Sequence, residues 1–541
     1  MSRHREIIVS TNPATGELIE RIPVSTAEDI ACAYDAMRKA VPLWAEKPVK
    51  ERVRILRKFQ ELVIDSVDVI TEVINRDTGK SRQDALIEVM MTADRLHQYY
   101  KQAGKWLRRR RVPPGLYFLR RFYTEPRPFG VVAVLGPWNL PFDLTISPVC
   151  SALLAGNTVV VKPSEVTAAT GHLLERLFQS VPELSPFVRV VHGDGRVGKM
   201  VVDGGPDLIF LTGSTQTGRS IAQKAAETMT PFICELGGKD PMIILEDADI
   251  EAAARWGTWG AFYNTGQTCM AVERVYVVES VYEQFLSACL SETKKIRMGY
   301  SAEKDNPNHL GPLTFGRQQA IVDDHLQDAL AKGANIFYSG KREGLFVEPM
   351  ILTNVNHEMK LMREETFGPL MPIMPVKDED EAVRLANDSS YGLSACVWSR
   401  DHERAERVAH RLEVGSVNIN DTISHYPVSL LPFGGIKQSG TARTHGAEEI
   451  LQFTQMRSYA VGTAPLPFDI ATRMRSPGNY RLGTAILHFM FGVTPRQRIQ
   501  PVVEGIESIT EKGRMPIKTA VAAAGLFAGL AAVLLALRNR S

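Results

Sequence analysis

Apolar residues recur at i, i+3 and i+4 from Ala27 to about Gly104, with Arg52-Val53-Arg54-Ile55-Leu56-Arg57-Lys58-Phe59 as one clear stretch. This rhythm predicts amphipathic helices lying on a core. The basic run 108–111 and then Val112-Pro113-Pro114-Gly115 end the pattern, because proline lacks the helix donor and clashes with the turn before it. The basic run reads as a solvated face or subunit edge, with contact to anionic lipid as the other option. Beyond it, short runs rich in Val and Ile occupy 131–135, 158–162, 188–191, 208–211 and 242–245, separated by helix-length spacers. Continuous apolar runs of this kind predict βαβ units around a parallel sheet covered on both faces. A second α/β series extends from about 252 to 420, with strands expected at 274–278, 393–398 and 416–419.

Residues 464–516 are studded with Pro and Arg and predict a connector, broken by the apolar patch Ala485-Ile486-Leu487-His488-Phe489-Met490-Phe491. After it, 519–537 is 19 residues without a charge, between Lys518 and Arg538. As a helix it would extend about 28 Å, close to the thickness of a bilayer core. Gly525-x-x-x-Gly529 gives it a small-residue face suited to helix pairing in lipid. The expectation is a transmembrane helix over 517–537, although its eight alanines also suit a buried terminal helix. Basic residues flank both ends, so charge bias does not fix an orientation.

Composition narrows the class. A chain of 541 residues exceeds one hydrophobic core and predicts two or three domains. Lys plus Arg is 63 against 61 for Asp plus Glu, a balance that argues against binding nucleic acid or another polyanion. The six cysteines are scattered without a C-x-x-C pair, so neither a metal site nor a disulfide framework is expected. They fit a reducing compartment. The first residues, Met1-Ser2-Arg3-His4-Arg5-Glu6, lack the apolar run of a signal peptide.

One cysteine stands out. Cys269 closes Gly266-Gln267-Thr268-Cys269, and Glu235 opens Glu235-Leu236-Gly237-Gly238-Lys239 upstream of it. A thiol and a carboxylate in two glycine-marked turns suggest a nucleophile with a separate base that later activates water. A free cysteine alone is more often inert core, which is the reading for Cys234. The surrounding motifs add the context. Pro137-Trp138-Asn139-Leu140-Pro141-Phe142 follows a strand, and Lys162-Pro163-Ser164-Glu165 ends the next. Thr212-Gly213-Ser214-Thr215-Gln216-Thr217-Gly218 links a strand to a helix. Glu364-Glu365-Thr366-Phe367-Gly368-Pro369 and Pro432-Phe433-Gly434-Gly435-Ile436-Lys437-Gln438-Ser439-Gly440 follow the Cys269 turn.

In this order the motifs resemble the aldehyde dehydrogenase superfamily, over about residues 8–460. The resemblance implies NAD(P)-dependent oxidation of an aldehyde to the acid through a cysteine thiohemiacetal and thioester. It makes Cys269 the nucleophile, Glu235 the general base and Asn139 the side-chain donor of the oxyanion hole. It places Trp138, Lys162, Glu165, Gly213, Ser214, Gly218, Glu365 and Phe367 at the cofactor, with no metal. Lys162 and Glu165 match a ribose-binding pair. A carboxylate there accepts from the 2′-hydroxyl and repels a 2′-phosphate, which favours NAD while leaving NADP open.

The fold implied is α/β: a Rossmann-like cofactor domain (8–115 with 130–235) and an α/β catalytic domain (236–447). A β oligomerisation ribbon (116–129 with 448–463), the connector and the C-terminal hydrophobic helix complete it. The expected partners are an aldehyde, a second or further copies in a homodimer or homotetramer, and a membrane reached through the tail. The catalytic part would then be cytoplasmic. The tail suggests a medium- or long-chain apolar aldehyde, with succinic semialdehyde as the alternative and a silent membrane scaffold as the reading from another class. Phe262 and Tyr263 are open between lining an apolar tunnel and packing in the core.

Overall fold

The computed structural model describes residues 5–115, 120–462, 475 and 479–500. A hairpin of Ile7–Thr11 and Leu18–Pro23 opens the chain. Four helices follow: α1 (Ala27–Ala45), α2 (Val49–Asp65), α3 (Val67–Thr78) and α4 (Arg82–Trp106). Local chemistry sets their starts. Thr26 and Asp29 form a reciprocal capping box on α1, and the Ser81 hydroxyl accepts the Asp84 N–H at the head of α4.

The first sheet contains β1 (Val131–Leu135), β2 (Thr158–Lys162), β3 (Val188–Val190), β4 (Leu208–Thr212) and β5 (Phe232–Glu235), in the order β3-β2-β1-β4-β5. All pairs are parallel. Alternate residues divide between two cores. Val132, Val134, Val159 and Phe210 pack with α2–α4, whereas Val131, Ala133, Val160 and Ile209 pack with Ile30, Tyr34 and Met37 of α1. Both faces are covered, so the strands read as unbroken apolar runs. The strand order reverses between β1 and β4, which opens a crevice at their carboxyl ends. The Trp138-Asn139 loop and the Gly213-Ser214 turn leave the sheet there.

The second sheet contains β6 (Asp240–Ile244), β7 (Val272–Val278), β8 (Asn335–Ser339), β9 (Met350–Thr353), β10 (Leu370–Val376), β11 (Ser394–Trp398) and β12 (Ser416–Ile419). Its order is β8-β9-β10-β7-β6-β11-β12, with β8 antiparallel to β9 and the rest parallel. The sequence pattern does not anticipate β5, β8, β9 or β10. Pro372 and Pro375 interrupt β10, β8 is an exposed edge, and β5 and β9 are four residues each.

Arg120–Pro128 forms the centre of a three-stranded sheet with Arg110–Val112 and Thr454–Gly462. One compact unit ends at Arg111 and resumes over Tyr123–Ser458; it holds both large sheets. The second unit comprises Val112–Phe122 and the chain from Tyr459. Among its described residues, Asn479–Phe491 is a helix, where the sequence suggests only a connector. The stretch 484–491 carries neither Pro nor Gly, so nothing interrupts the turn-to-turn bonding. The tail 517–537 lies outside the described residues. Among those described, no helix is long and apolar enough to cross a membrane.

Candidate active site

Two backbone turns bring the expected nucleophile and base together. Helix α7 (Ile250–Phe262) ends in a tight turn where Asn264, Thr265 and Gly266 take positive φ in succession. This reversal sends the chain past Cys269 into β7. Glu235 is the last residue of β5, so its side chain leaves the end of the first sheet. The link from β5 to β6 runs against the cysteine turn. A Cβ on Gly238 would come within 2.5 Å of the Cys269 carbonyl oxygen, so only glycine permits the approach.

Asn139 completes the group. Its side-chain nitrogen donates to the Gln267 carbonyl at 3.0 Å, two residues before the thiol. An amide nitrogen carries two hydrogens, so one remains for an oxygen in the cleft. The loop is braced from behind. Lys80 donates to the Asn139 carbonyl at 2.7 Å and pairs with Glu88 at 3.2 Å. Glu88 in turn accepts the N–H groups of Phe142 and Asp143 at the start of α5 (Asp143–Ala155).

The site is rich in buried carboxyls. Burial pushes Glu235 well above the usual carboxylate range; Arg443 opposes this and Glu449 adds to it. Its Oε1 has no hydrogen-bond partner. Burial, followed by the charge of Glu273, raises Glu365 to about 8, and its Oε1 accepts the Gly238 N–H at 3.1 Å. Burial likewise raises Asp240 to about 8. The Cys269 thiol is raised by burial first and then by Glu235, Asp240 and Glu365. The residue still keeps partial exposure to the cleft. Burial therefore favours the protonated form of each of these groups.

The cleft measures about 1020 Å³ and is lined by Asn139, Glu235 and Cys269 together with Trp138, Lys162, Glu165, Gly213, Ser214, Glu365 and Phe367. Gly218 is the exception among the expected residues. It lies one turn into α6 (Thr215–Thr228), where a Cβ would meet Leu236 at 2.8 Å, and it serves helix-to-turn packing. The N-terminus of α6 faces the cleft through Gly213, Ser214, Thr215, Gln216 and Thr217. The Ser214 hydroxyl caps it by accepting the Thr217 N–H. Lys162 pairs with Glu165 at 2.7 Å. Trp138 stands edge-on to Phe315 (4.9 Å) and Phe367 (5.4 Å). The 366–367 backbone is held by Glu273, which accepts both N–H groups at 2.8 Å and pairs with Lys239.

Sequence reasoning missed the far wall: Arg95, Leu144, Ser147, Tyr426, Phe433 and His445. Arg95 bonds Asp143 at 3.1 Å and Ser147 at 2.6 Å, and Asp143 also accepts from Thr92 and Tyr426. Ser147 lies four residues after Asp143 on α5, a spacing that puts both on one face; Phe433 sits in the Pro432–Gly440 motif, and no motif marks Arg95, Leu144, Tyr426 or His445. Phe262 is buried in the second-sheet core, and Tyr263 packs tilted against Trp259 at 5.5 Å. Neither lines the cleft.

The chain is similar to known proteins along most of its length. The model of the aldehyde dehydrogenase family matches residues 1–459. The 4,4'-diapolycopene aldehyde oxidase of Methylomonas sp is 42% identical over 488 residues, 90% of this chain and 91% of that protein. A Mycolicibacterium smegmatis protein provisionally named succinate-semialdehyde dehydrogenase (NADP+) is 37% identical over 455 residues, 82% of this chain and 87% of its own. Among solved structures, the NADP-dependent glyceraldehyde-3-phosphate dehydrogenase of Bacillus halodurans C-125, complexed with NADP, matches with a TM-score of 0.80 at 32% identity. That match covers 85% of this chain and 96% of the other.

Proposed function

The chain belongs to the aldehyde dehydrogenase family and is an NAD(P)-dependent oxidoreductase; from that premise we propose that Cys269, Glu235 and Asn139 carry its chemistry on an apolar aldehyde. The Cys269 thiol releases its proton to solvent, and the thiolate sulfur attacks the carbonyl carbon. The free Asn139 hydrogen and the Cys269 N–H receive the charge that develops on oxygen, a contribution of about 2.7–4 kcal/mol for one such donor in comparable sites. When bound, NAD(P)+ would supply the acceptor for the hydride, whose loss leaves the adduct as a thioester. Glu235 then takes a proton from water, whose oxygen displaces the sulfur and releases the acid.

The donor set suits the dinucleotide. The first-turn N–H groups of α6 and the Ser214 hydroxyl favour a pyrophosphate. Lys162, Glu165 and Glu365 line the cleft with side chains suited to ribose hydroxyls, and Trp138 and Phe367 add aromatic surface to its lining. Glu165 favours NAD over NADP.

The reading rests on one observation: thiol, carboxyl and amide converge in a single cleft whose other end is a helix N-terminus. An apolar substrate is supported by Met91, Leu144 and Phe433, which cluster with Cys269, and by the printed name of the 42% identical protein. Arg95 is already matched by Asp143 and offers no spare charge to a second carboxylate. The sequence pattern supports the domain limits given above, an oligomer bridged through Arg120–Pro128 and Thr454–Gly462, and a membrane tail over 517–537.

A chain-length series of aldehydes, followed by NAD(P)H absorbance, tests the function. Activity should favour decanal over succinic semialdehyde. Cys269→Ser should lower turnover roughly a thousandfold or more. Full activity of that variant would reject the mechanism, and preference for the semialdehyde would reject the substrate class.

A further inference from the structure

His445 is fully buried, yet its backbone is strained: φ is +68°, a left-handed conformation that a side chain other than glycine rarely takes. The strain is actively held. Glu449 accepts the His445 N–H at 2.7 Å, and the same carboxylate is fixed by Tyr99 and Ser151, each at 2.6 Å. The ring stands beside Tyr426 (5.1 Å) and Phe433 (6.0 Å) and lines the cleft with Cys269 and Glu235. Neither ring nitrogen has a hydrogen-bond partner. Burial and the charge of Arg95 keep the ring neutral; the Leu431 carbonyl pulls the other way without reaching hydrogen-bond geometry. A neutral ring has one N–H and one lone pair. Buried polar atoms almost always have partners, so an orphaned imidazole on strained backbone at a cleft wall calls for a ligand atom. Glu235 lines the same cleft, and its Oε1 is also without a partner.

We propose that His445 is a positioning residue for thioester hydrolysis, holding the attacking water against Glu235; this rests on the reading of Cys269 and Glu235 given above. Water gives one hydrogen to the Glu235 carboxylate and points the other at the His445 lone pair. Its oxygen lone pair is then directed at the thioester carbon. The C–O bond forms, the C–S bond breaks, the water proton passes to Glu235, and the departing sulfur recovers a proton from that acid. Buried water needs two to four polar partners, and these two groups supply two.

The test separates the two halves of the reaction. His445→Gly suits the left-handed backbone and leaves room for added imidazole; His445→Asn also tolerates that backbone and keeps a hydrogen-bonding group. With decanal, the first turnover of His445→Gly should form NAD(P)H within about twofold of wild type. Its steady-state rate should fall about tenfold, the size expected for one lost hydrogen bond to the reacting water. Quench mass spectrometry should show acyl-Cys269 accumulating, and free imidazole or His445→Asn should restore part of the rate. Equal loss of first-turnover and steady-state rates, absence of acyl enzyme, or an unchanged steady state would overturn the inference while wild-type activity leaves the proposed function standing. A wild-type protein that forms no NAD(P)H from any aldehyde would overturn both.

Discussion

At the scale of single residues, the site is governed by burial acting on ionisable groups. Glu235 holds its proton above the ordinary carboxyl range, so the base form appears as pH rises. Turnover limited by hydrolysis should therefore climb with pH through that raised value. In Glu235→Gln the rising limb should vanish and steady-state turnover should drop roughly 100-fold or more, the lower end of what a general base contributes. Stability moves the other way. Between the unfolded carboxyl value near 4.5 and the raised folded value, the unfolded chain releases a proton that the folded chain retains. This makes folding less favourable as pH increases. Glu235→Gln should then melt at a higher temperature than wild type at pH 7 and show no such gain near pH 4. Thermal scans at the two pH values check this.

At the scale of elements, the geometry depends on ion pairs buried behind the loops. Lys80 and Glu88 are both almost wholly buried and clamp three backbone groups between α4, the Asn139 loop and α5. Lys80→Met would leave Glu88 unpaired, at a cost of about 3–5 kcal/mol. Denaturant titration should show that loss, and Lys80→Met combined with Glu88→Gln should recover part of it. The residual activity of Lys80→Met should fall in kcat more than in KM, because the released Asn139 carbonyl loosens a donor used only as charge develops on oxygen. Such braces were not legible beforehand. Lys80 lies in the short loop before α4 and Glu88 on α4, and the backbone groups they hold lie over 50 residues away. Strand β10 escaped notice for a simpler reason: two prolines disguise a segment whose neighbours accept them within a covered sheet.

For the whole molecule, two expectations concern what it binds. Glu165 is partly exposed at the cleft rim, anchored by Lys162. Glu165→Ser removes the carboxylate that would repel a 2′-phosphate, so kcat/KM with NADP should rise about tenfold relative to NAD, an effect of about 1.4 kcal/mol. Steady-state kinetics with both dinucleotides decide it. The tail has a separate expectation, because 519–537 carries no charge. A chain ending at residue 516 should move from the carbonate-resistant membrane fraction to the soluble one while keeping its kcat/KM on a short aldehyde. Release of the full-length protein by carbonate would reject membrane insertion.

The sequence by itself determined the class of chemistry and most of the scaffold. Helical periodicity, unbroken β-branched runs and ordered glycine-marked turns are local properties. They marked the helical stretch that folds as α1–α4, the strands β1–β4, and Cys269 and Glu235 as candidates, and the family resemblance added Asn139. Only the tertiary structure decided what surrounds those residues. Arg95, Ser147, Tyr426 and His445 share one wall although positions 95 and 445 are far apart in the chain, and Gly218 turned from the cleft to pack on Leu236. Contacts between distant segments, and the burial that shifts the carboxyls and the thiol, arise when the sheets and loops close together. No spacing along the chain encodes that closure directly.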